Sequence, residues 1–289
     1  MESSEREELG SFLTAVPPVD FCCVYGSTLH PNNQDKSKMV DYILGVSDPM
    51  QWHSQNLKMN SHHYASWMVH LGGARLITEV ADKVGVGVHF NPFATWNDRK
   101  LKYGVVRMND LVQDILDWNR FYLSGRLQKP LHLLVDNLDI EDVNSVNKRA
   151  ALSAALLLLP SKFTEEDLYA KICSLSYMGD LRMLFAEDTN KDSSLSSSRS
   201  LVSSLPASVR SQMSKLLGEK KILSETGRVS REVCIGSREE AAKCMEKVMK
   251  RRVMVSSARQ AVSGFLAAGA INATVYLSQK MRKAWNSRS

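Results

Sequence analysis

The feature that most constrains the fold is a change of pattern at about residue 140 of the 289-residue chain. Before that point, short apolar and β-branched runs alternate with turn residues, which predicts a sheet. The predicted strands are Phe21 to Tyr25, Met39 to Val46, Val86 to Phe93, Leu101 to Val106 and Leu131 to Val135. A polar turn around Asn97-Asp98-Arg99 is expected to join the third strand to the fourth, and the amphipathic stretch Met108 to Leu123 predicts a helix.

The second part of the chain predicts a helical domain. An Ala/Leu-rich helix over Asn147 to Leu159 stops at Pro160, and Thr164 caps a further helix that runs through Cys173. Eight serines among the thirteen residues Asp192 to Ser204 predict a flexible linker. Two more helices are predicted over Ser237 to Lys250 and Arg259 to Lys283. The sequence therefore predicts an α+β architecture.

Charge is distributed unevenly along the chain. From Lys243 onward ten basic residues stand against the single acid Glu246, a net charge of +9, which leaves −3 for the first 242 residues. The C-terminal segment is therefore the expected contact for a polyanion. It lacks the interleaved aromatic residues of a nucleic-acid stacking surface, so nucleic acid is not an expected partner.

Several classes of protein are excluded. The five cysteines show no CxxC spacing, which argues against a zinc ribbon and a disulfide scaffold and favours a reducing compartment. No stretch reaches the roughly 18 to 20 apolar residues of a membrane span. The first residues show neither a signal peptide nor a transit peptide. Walker, GxGxxG and Ser-His-Asp patterns are missing from the sequence.

The pattern that most suggests chemistry is the turn Gly26-Ser27 followed by Asp41 inside an apolar strand. A Gly-Ser turn presents backbone N–H groups and a hydroxyl to phosphate oxygens. A carboxylate inside a strand is costly unless it is paired or binds a metal, and here it can hold Mg²⁺ against the same phosphates. The alternative is a structural carboxylate with its hydrogen bonds satisfied.

Three other groups are candidate binding residues, each with a structural alternative. His53 and Asn56 lie one helical turn apart and can orient a substrate, or they only belong to a helix start capped by Asp48. Lys102 before Gly104 is a phosphate contact or part of a solvated edge strand. Arg126 and Lys129 suit an anionic head group, or their turn only ends a helix.

Seven motifs follow one another along the chain, each occurring once. They are VYGST, MVDYILGVSDPMQWHSQN, NPF, LKYGVV, DWNRFYLSGRLQKP, LPSKFTEEDLYAKICSLSYMGDLRM and SSARQAVSGFLAAG. In this order they resemble the mitochondrial phosphatidate cytidylyltransferases of the translocator assembly and maintenance family, with the plant members closest. The resemblance covers nearly the whole chain from Phe21.

The resemblance implies a nucleotidyltransferase-fold domain with a mixed sheet, a winged-helix-like helical domain and a C-terminal helical region that contacts a membrane. The implied boundaries are 1–140, a truncated helical domain 141–191, a Ser-rich linker with a partial helical segment 192–236, and a basic region 237–289. The implied reaction joins CTP and phosphatidic acid to give CDP-diacylglycerol and pyrophosphate. It would supply cardiolipin synthesis at the matrix face of the anionic inner mitochondrial membrane.

The resemblance also implies residue roles. Gly26 and Ser27 would bind the CTP phosphates, Asp41 would bind the catalytic Mg²⁺, and Lys102 would contact a phosphate. Asp180 is a candidate for the second metal carboxylate, and Asp114 is another. The remaining candidates are His53 and Asn56 for orienting the substrate, and Arg126 and Lys129 for the lipid phosphate.

One departure from the family pattern points to a competing function. After Lys191 the chain passes directly into its Ser-rich run, where the family continues with a further helical stretch of some tens of residues. A catalytically impaired peripheral membrane protein that supports mitochondrial import complexes is therefore the alternative. Nucleotide addition to RNA is the third and weakest hypothesis.

Overall fold

The computed structural model describes residues 3–26, 39–178, 195–223 and 229–269. The strands are β1 (Phe21–Tyr25), β2 (Val40–Val46), β3 (Val88–Trp96), β4 (Arg99–Arg107), β5 (Leu131–Asp136), β6 (Glu219–Leu223) and β7 (Val229–Val233). The helices are α1 (Ser3–Gly10), α2 (Pro49–Asn60), α3 (Ser66–Leu71), α4 (Gly73–Glu79), α5 (Met108–Asp117), α6 (Ser124–Leu127), α7 (Ile140–Leu158), α8 (Glu165–Ser174), α9 (Leu195–Ser203), α10 (Ala207–Leu217) and α11 (Arg238–Ala268). Short 3₁₀ turns cover Ser11–Ala15, Ser61–His63 and Leu175–Tyr177, and a π-helical turn covers Val80–Val84.

The described residues form two compact units. The first contains the residues up to Leu111, Pro130–Ile140 and the residues from Ala258 onward, and the second contains Val112–Lys129 and Glu141–Ser257. The change of pattern at residue 140 thus coincides with one boundary between the units. Each unit also takes residues from the other side of that point, which composition alone did not predict.

The first unit is built on a mixed five-stranded sheet in the order β3-β4-β2-β1-β5. β2 and β4 are parallel, and the other neighbouring pairs are antiparallel. Asn97 and Asp98, with φ of 48° and 59°, form the predicted turn between β3 and β4, because a two-residue hairpin favours positive φ. β4 lies inside the sheet, so the edge-strand interpretation of Lys102 is wrong.

Both faces of this sheet bury apolar side chains, and one of them carries an aromatic cluster. Buried Tyr42 and Tyr103 pack against Phe12, with ring centroids 5.1 and 5.4 Å from it. α2 covers the same face through Trp52, which lies 6.3 Å from the Tyr103 ring. α2 starts where predicted, because the Asp48 carboxylate accepts from two backbone N–H groups of the first turn and Pro49 follows it.

The second unit is mainly helical. Its core consists of buried residues of α7, α9, α10 and α11, among them Leu157, Val202, Val209 and Met245. β6 and β7 form a separate two-stranded antiparallel sheet. Thr164 caps α8 as predicted, in a reciprocal capping arrangement with Asp167. Helices with a small sheet agree with the α+β class, and the more specific winged-helix assignment stays a prediction.

Three predicted elements differ in the structure. The helix predicted to Leu123 ends at Asp117. The Ser-rich run was predicted to be a linker, but its residues Leu195–Ser203 form α9, and Val202 of this helix is buried in the core. Serine hydroxyls of this helix donate to carbonyls of the preceding turn, as the Ser203 hydroxyl does to the Ser200 carbonyl. The high serine content therefore made the apolar face of the helix hard to recognise in the sequence. The two helices predicted after Ser237 form one helix to Ala268, and residues 270–289 lie outside the described residues.

Candidate active site

The Asp41 carboxylate lies beside the bend that follows β1. Antiparallel pairing sets Tyr25 opposite Asp41, so the next residue, Gly26, comes close to that side chain. Gly26 has a φ of 105°, and a Cβ placed on it would lie 3.3 Å from Asp41 Oδ2. Glycine permits both the backbone conformation and the close approach. The predicted juxtaposition of bend and carboxylate is therefore present, while Ser27 lies outside the described residues.

Lys102 brings a positive charge to the same place. Parallel pairing of β2 with β4 sets Asp41 opposite Lys102, and Lys102 Nζ lies 3.8 Å from Asp41 Oδ1. The two side chains are 29% and 24% exposed, so water or a ligand reaches both. An ion pair at that exposure is worth less than about 1 kcal/mol. The pair thus contributes local charge more than stability.

Phe90 completes this group and has no role in the sequence-based hypotheses. Lys102 Nζ lies 4.5 Å from the centroid of the Phe90 ring, within cation–π range. The ring covers Gly104, where a Cβ would come within 2.5 Å of Phe90 Cε1. A glycine inside a strand indicates that another group approaches the backbone closely. Gly104 was therefore the one sequence feature that could have pointed to the Phe90 ring.

His53 and Asn56 lie on the opposite face of the sheet, in a buried polar network. They are 1% and 0% exposed. The Asn56 amide donates to the Tyr64 hydroxyl at 2.8 Å and to the Tyr103 hydroxyl at 2.9 Å. The Nδ1 atoms of His53 and His63 lie 2.9 Å from Tyr64 Oη and Tyr103 Oη, respectively. This arrangement does not provide direct contact with a substrate, so any substrate-orienting role of His53 and Asn56 stays a prediction.

Burial keeps this network neutral. Desolvation lowers the pKa of His63 and of His89 to about 4, and it lowers the pKa of His53 as well. Desolvation raises the pKa of Tyr64 and Tyr103. Neutral histidines accept at Nδ1 from the tyrosine hydroxyls, which in turn accept from Asn56. Close to them, buried His89 Nδ1 and both amide atoms of Asn91 make no hydrogen bond of normal geometry.

The second metal carboxylate is not identified among the described residues. Asp180 lies outside them. Asp114 has a different role, because its carboxylate accepts from the backbone N–H groups of residues 120 to 124. It fixes a loop in which buried Trp118 and Phe121 adopt φ of 55° and 53°. Asp114 is 6% exposed and structural, so its assignment as a metal ligand is wrong.

Arg126 and Lys129 are held against aromatic rings in the second unit. The Arg126 guanidinium lies 3.6 Å from the Tyr122 ring centroid and donates to the Tyr122 carbonyl at 2.6 Å. Lys129 Nζ lies 3.7 Å from the Tyr177 ring centroid. The ring contact restricts the direction of each side chain without adding a negative charge next to it. Both therefore keep the chemistry of phosphate ligands.

Not all the basic residues of the C-terminal segment are available to a polyanion. Arg252 is buried and donates to the Ser208 hydroxyl at 2.7 Å and to the Trp118 carbonyl. Arg259 donates to the carbonyls of Val84 and Lys83 at 3.1 and 2.9 Å, where the π-helical turn ends. Leu266 packs with Tyr64 and Met68, so that side of α11 lies on protein. Phe265 is 50% exposed. No helix of the described ranges is both long and apolar enough to span a bilayer.

The residues around Asp41 fit the Mg²⁺ that the resemblance implies. Carboxylate oxygen is the ligand type that Mg²⁺ prefers, and one or two carboxylates with substrate phosphates suffice to bind it. Asp41 is reachable, and Gly26 leaves open the space that a side chain would fill. Among the described residues, the Asp41 site included, no group of three or more His, Cys, Asp or Glu side chains could hold a metal, so Asp41 would bind it together with substrate phosphates.

Comparison with known proteins now identifies the family. The family model described as phosphatidate cytidylyltransferase, mitochondrial, matches residues 9–197 and 190–283. The chain belongs to this family. Relatives of this chain from human, mouse and fission yeast are each named phosphatidate cytidylyltransferase, mitochondrial. The human relative is 41% identical over 174 residues, the mouse relative 28% over 307 and the Schizosaccharomyces pombe relative 38% over 195.

Coverage differs among the relatives of this cytidylyltransferase family. The matches cover 58%, 90% and 64% of this chain for human, mouse and fission yeast, and 38%, 89% and 49% of those relatives. The chain thus spans half or less of the human and yeast proteins. The mouse alignment is longer than the chain, so that relative has residues without a counterpart here. The family model matches in two parts that overlap at residues 190–197, a range that contains the point after Lys191 where the sequence predicts an absent segment.

Proposed function

We propose that the chain transfers the cytidylyl group of CTP to phosphatidic acid, giving CDP-diacylglycerol and pyrophosphate in cardiolipin and phospholipid synthesis. Membership of the cytidylyltransferase family supports this activity. The single structural observation that carries it is the Asp41 carboxylate beside Gly26, with the Lys102 ammonium 3.8 Å away. Sites that bind nucleoside triphosphates combine an acidic side chain that can hold a metal, a basic side chain and a glycine turn that phosphates can approach.

The reaction demands charge neutralisation more than proton transfer. A phosphatidate phosphate is already an anionic nucleophile near neutral pH, so no strong general base is needed. The obstacle is repulsion between two polyanions, which fixed opposite charges and positioning reduce. Asp41 would hold Mg²⁺, which when bound neutralises phosphate charge. Lys102 and the backbone at Gly26 and Ser27 would bind the phosphates of CTP.

The lipid substrate requires its own cations. We propose that Arg126 and Lys129 bind the phosphate of phosphatidate, because aromatic rings hold both side chains in defined directions. A guanidinium bound to a phosphate can form two parallel hydrogen bonds. Replacing Arg126 by Gln is expected to raise the KM for phosphatidate more than that for CTP.

The proposed location is the matrix side of the inner mitochondrial membrane, with peripheral attachment. Each Lys or Arg near an anionic surface contributes about 1 kcal/mol to binding. Lys243, Lys247 and Arg251 are exposed on α11 and can contribute, whereas Lys250 is paired with Glu246, and Arg252 and Arg259 are committed to protein contacts. Vesicle binding should therefore weaken with added salt.

The deciding experiment measures pyrophosphate release from CTP with Mg²⁺, with and without vesicles that contain phosphatidate. Release is expected only when phosphatidate is present. Asp41→Asn keeps the shape of the side chain and removes its charge, so we expect a loss of at least about 100-fold. Asp98→Asn, in the exposed turn between β3 and β4, is the matched control and should keep full activity. Unchanged activity in Asp41→Asn would refute the site.

The stretch that the sequence predicts to be absent after Lys191 favours a second candidate, a peripheral membrane protein that supports import complexes without catalysis. Binding to anionic vesicles without CTP turnover would select it. The same assay on a chain with the missing stretch restored separates an inactive truncated form from an inactive family member. Incorporation of labelled CTP into an oligonucleotide would instead indicate an RNA substrate.

A further inference from the structure

The Lys102 side chain is held by more than its ion pair. A lysine has four rotatable bonds, and its 3.8 Å distance to Asp41 Oδ1 is too long for a strong hydrogen bond. A second contact, the Phe90 ring 4.5 Å from Nζ, restricts the ammonium from another direction. The negative face of an aromatic ring attracts a cation without neutralising it.

The backbone fixes the position of the ring. Phe90 on β3 is paired with Gly104 on β4, two residues beyond Lys102 and on the same face of the sheet. The missing side chain of Gly104 leaves the space that the ring fills. The strand pairing shifts register after Asn91, so the Pro92 region forms an irregularity next to the ring on the edge strand β3. Phe90 is 4% exposed, which argues against stacking on a nucleobase.

We propose that Phe90 is a positioning residue that holds the Lys102 ammonium next to the Asp41 carboxylate. Its part in catalysis rests on the proposed function, whereas its effect on the position of Lys102 does not. In the absence of nucleotide the ammonium lies beside the carboxylate. When CTP binds, the same ammonium is already in place to contact a phosphate, so less side-chain freedom is lost on binding.

The first test observes the position of Lys102 without any reaction. Isotope-labelled dimethyl groups on the lysines are followed by NMR, and the Lys102 signal is assigned through its loss in Lys102→Arg. A cation above a ring has a ring-current shift, which should disappear in Phe90→Leu and persist in Phe90→Tyr. A Lys102 signal that does not move in Phe90→Leu would overturn the proposal.

The second test separates the charge of the ring from its volume. Replacing Phe90 by trifluorophenylalanine keeps the shape and weakens the negative face of the ring. The KM for CTP is expected to rise about 3- to 10-fold with little change in kcat, and the melting temperature should stay near that of the native chain. Phe90→Tyr should retain the native KM. If the fluorinated protein has the native KM, the ring serves packing alone and the proposal fails.

A third variant approaches the ring from the other side. Gly104→Ala introduces a Cβ within 2.5 Å of Phe90 Cε1, so the ring must move. The Lys102 ring-current shift is expected to change and the KM for CTP to rise. If the native chain itself does not turn over CTP, the proposed function fails, and the NMR result still decides whether Phe90 positions Lys102.

Discussion

Two faces of one sheet differ sharply at neighbouring residues. On β2 and β4, Asp41 and Lys102 are paired and remain 29% and 24% exposed. The next residue on each strand, Tyr42 and Tyr103, is 2% and 0% exposed and faces the opposite side. A step of one residue therefore takes the chain from charges that a ligand can reach to hydroxyls inside a core.

The comparison shows how the two faces divide their tasks. Charges lie where solvent reduces the cost of keeping them, and the buried face uses neutral groups joined by hydrogen bonds. The Asp41 face is open only around this ion pair, because it also buries Ile43, Cys23 and Phe90. Changes at Asp41 and Lys102 should therefore alter activity at little cost in stability, whereas changes in the network around Tyr103 should alter stability first.

Among the substitutions, the largest stability effect is expected for Asn56→Leu. The substitution leaves the hydroxyls of Tyr64 and Tyr103 without their shared donor and removes the acceptor of Asn60, which lies 2.8 Å away. Loss of buried hydrogen-bond partners should lower the free energy of unfolding by about 2–4 kcal/mol, measured by urea denaturation. Gln55→Leu, exposed on the same helix, is the control and should change it by less than about 0.5 kcal/mol. Equal small effects would show that the network contributes little.

Acid is expected to destabilise the same buried network without any substitution. The folded-state pKa of His63 and His89 is about 4, below the ordinary value of about 6.5 in an unfolded chain. The unfolded state therefore binds protons that the folded state does not, so stability is complete above pH 6.5 and falls as the pH drops toward 4. The loss should approach about 1.4 kcal/mol per pH unit for each histidine.

A pair of adjacent histidines provides the control for this pH dependence. His63→Gln should reduce the slope of unfolding free energy against pH, because the buried imidazole is gone. His62→Gln, at an exposed position beside it, removes only the repulsion that His62 adds to the desolvation of His63, and should reduce the slope less. Identical slopes in the native chain and both variants would indicate that the buried histidines are not the source of the acid sensitivity.

The smallest effect on stability is expected for Gly26→Ala, beside the Asp41 carboxylate. A side chain at a φ of 105° costs about 1–2 kcal/mol, and its Cβ would lie 3.3 Å from Asp41 Oδ2. We expect a modest loss of stability in thermal denaturation together with a raised KM for CTP. Gly10→Ala, in right-handed helical conformation and with no atom within 4 Å of the added Cβ, should leave the KM unchanged and should not lower the stability. A variant at Gly26 with the native KM would mean that the bend does not approach the nucleotide.

The sequence was most informative where local chemistry decides structure. The strand Phe21–Tyr25, the Asp48 cap and the Thr164 cap could be predicted because each depends on neighbouring residues. The approach of Asp41 to Gly26 also followed, since two short strands joined by one loop pair in few ways. Phe90 could not be predicted, because its partner Gly104 is specified by strand register and not by spacing.

Other features depend on the tertiary environment. Helical spacing places His53 and Asn56 on one face of α2 but does not say whether that face meets water or the sheet. The positive φ of Trp118 and Phe121 depends on the Asp114 carboxylate, which offsets the strain with backbone hydrogen bonds. Counting charges overestimated the cationic surface for a similar reason, because Arg252 and Arg259 bind carbonyl groups.

The first unit is assembled from distant parts of the chain, and this affects the order in which it folds. Trp67 Nε1 donates to the Leu266 carbonyl across 199 positions, and Arg259 reaches Val84 across 175. Contacts this far apart form late, because a long loop must close before they contribute. During synthesis the surface of α3 and of the π-helical turn must therefore wait for the end of α11, with Tyr64 and Met68 exposed to aggregation or to chaperones in the interval.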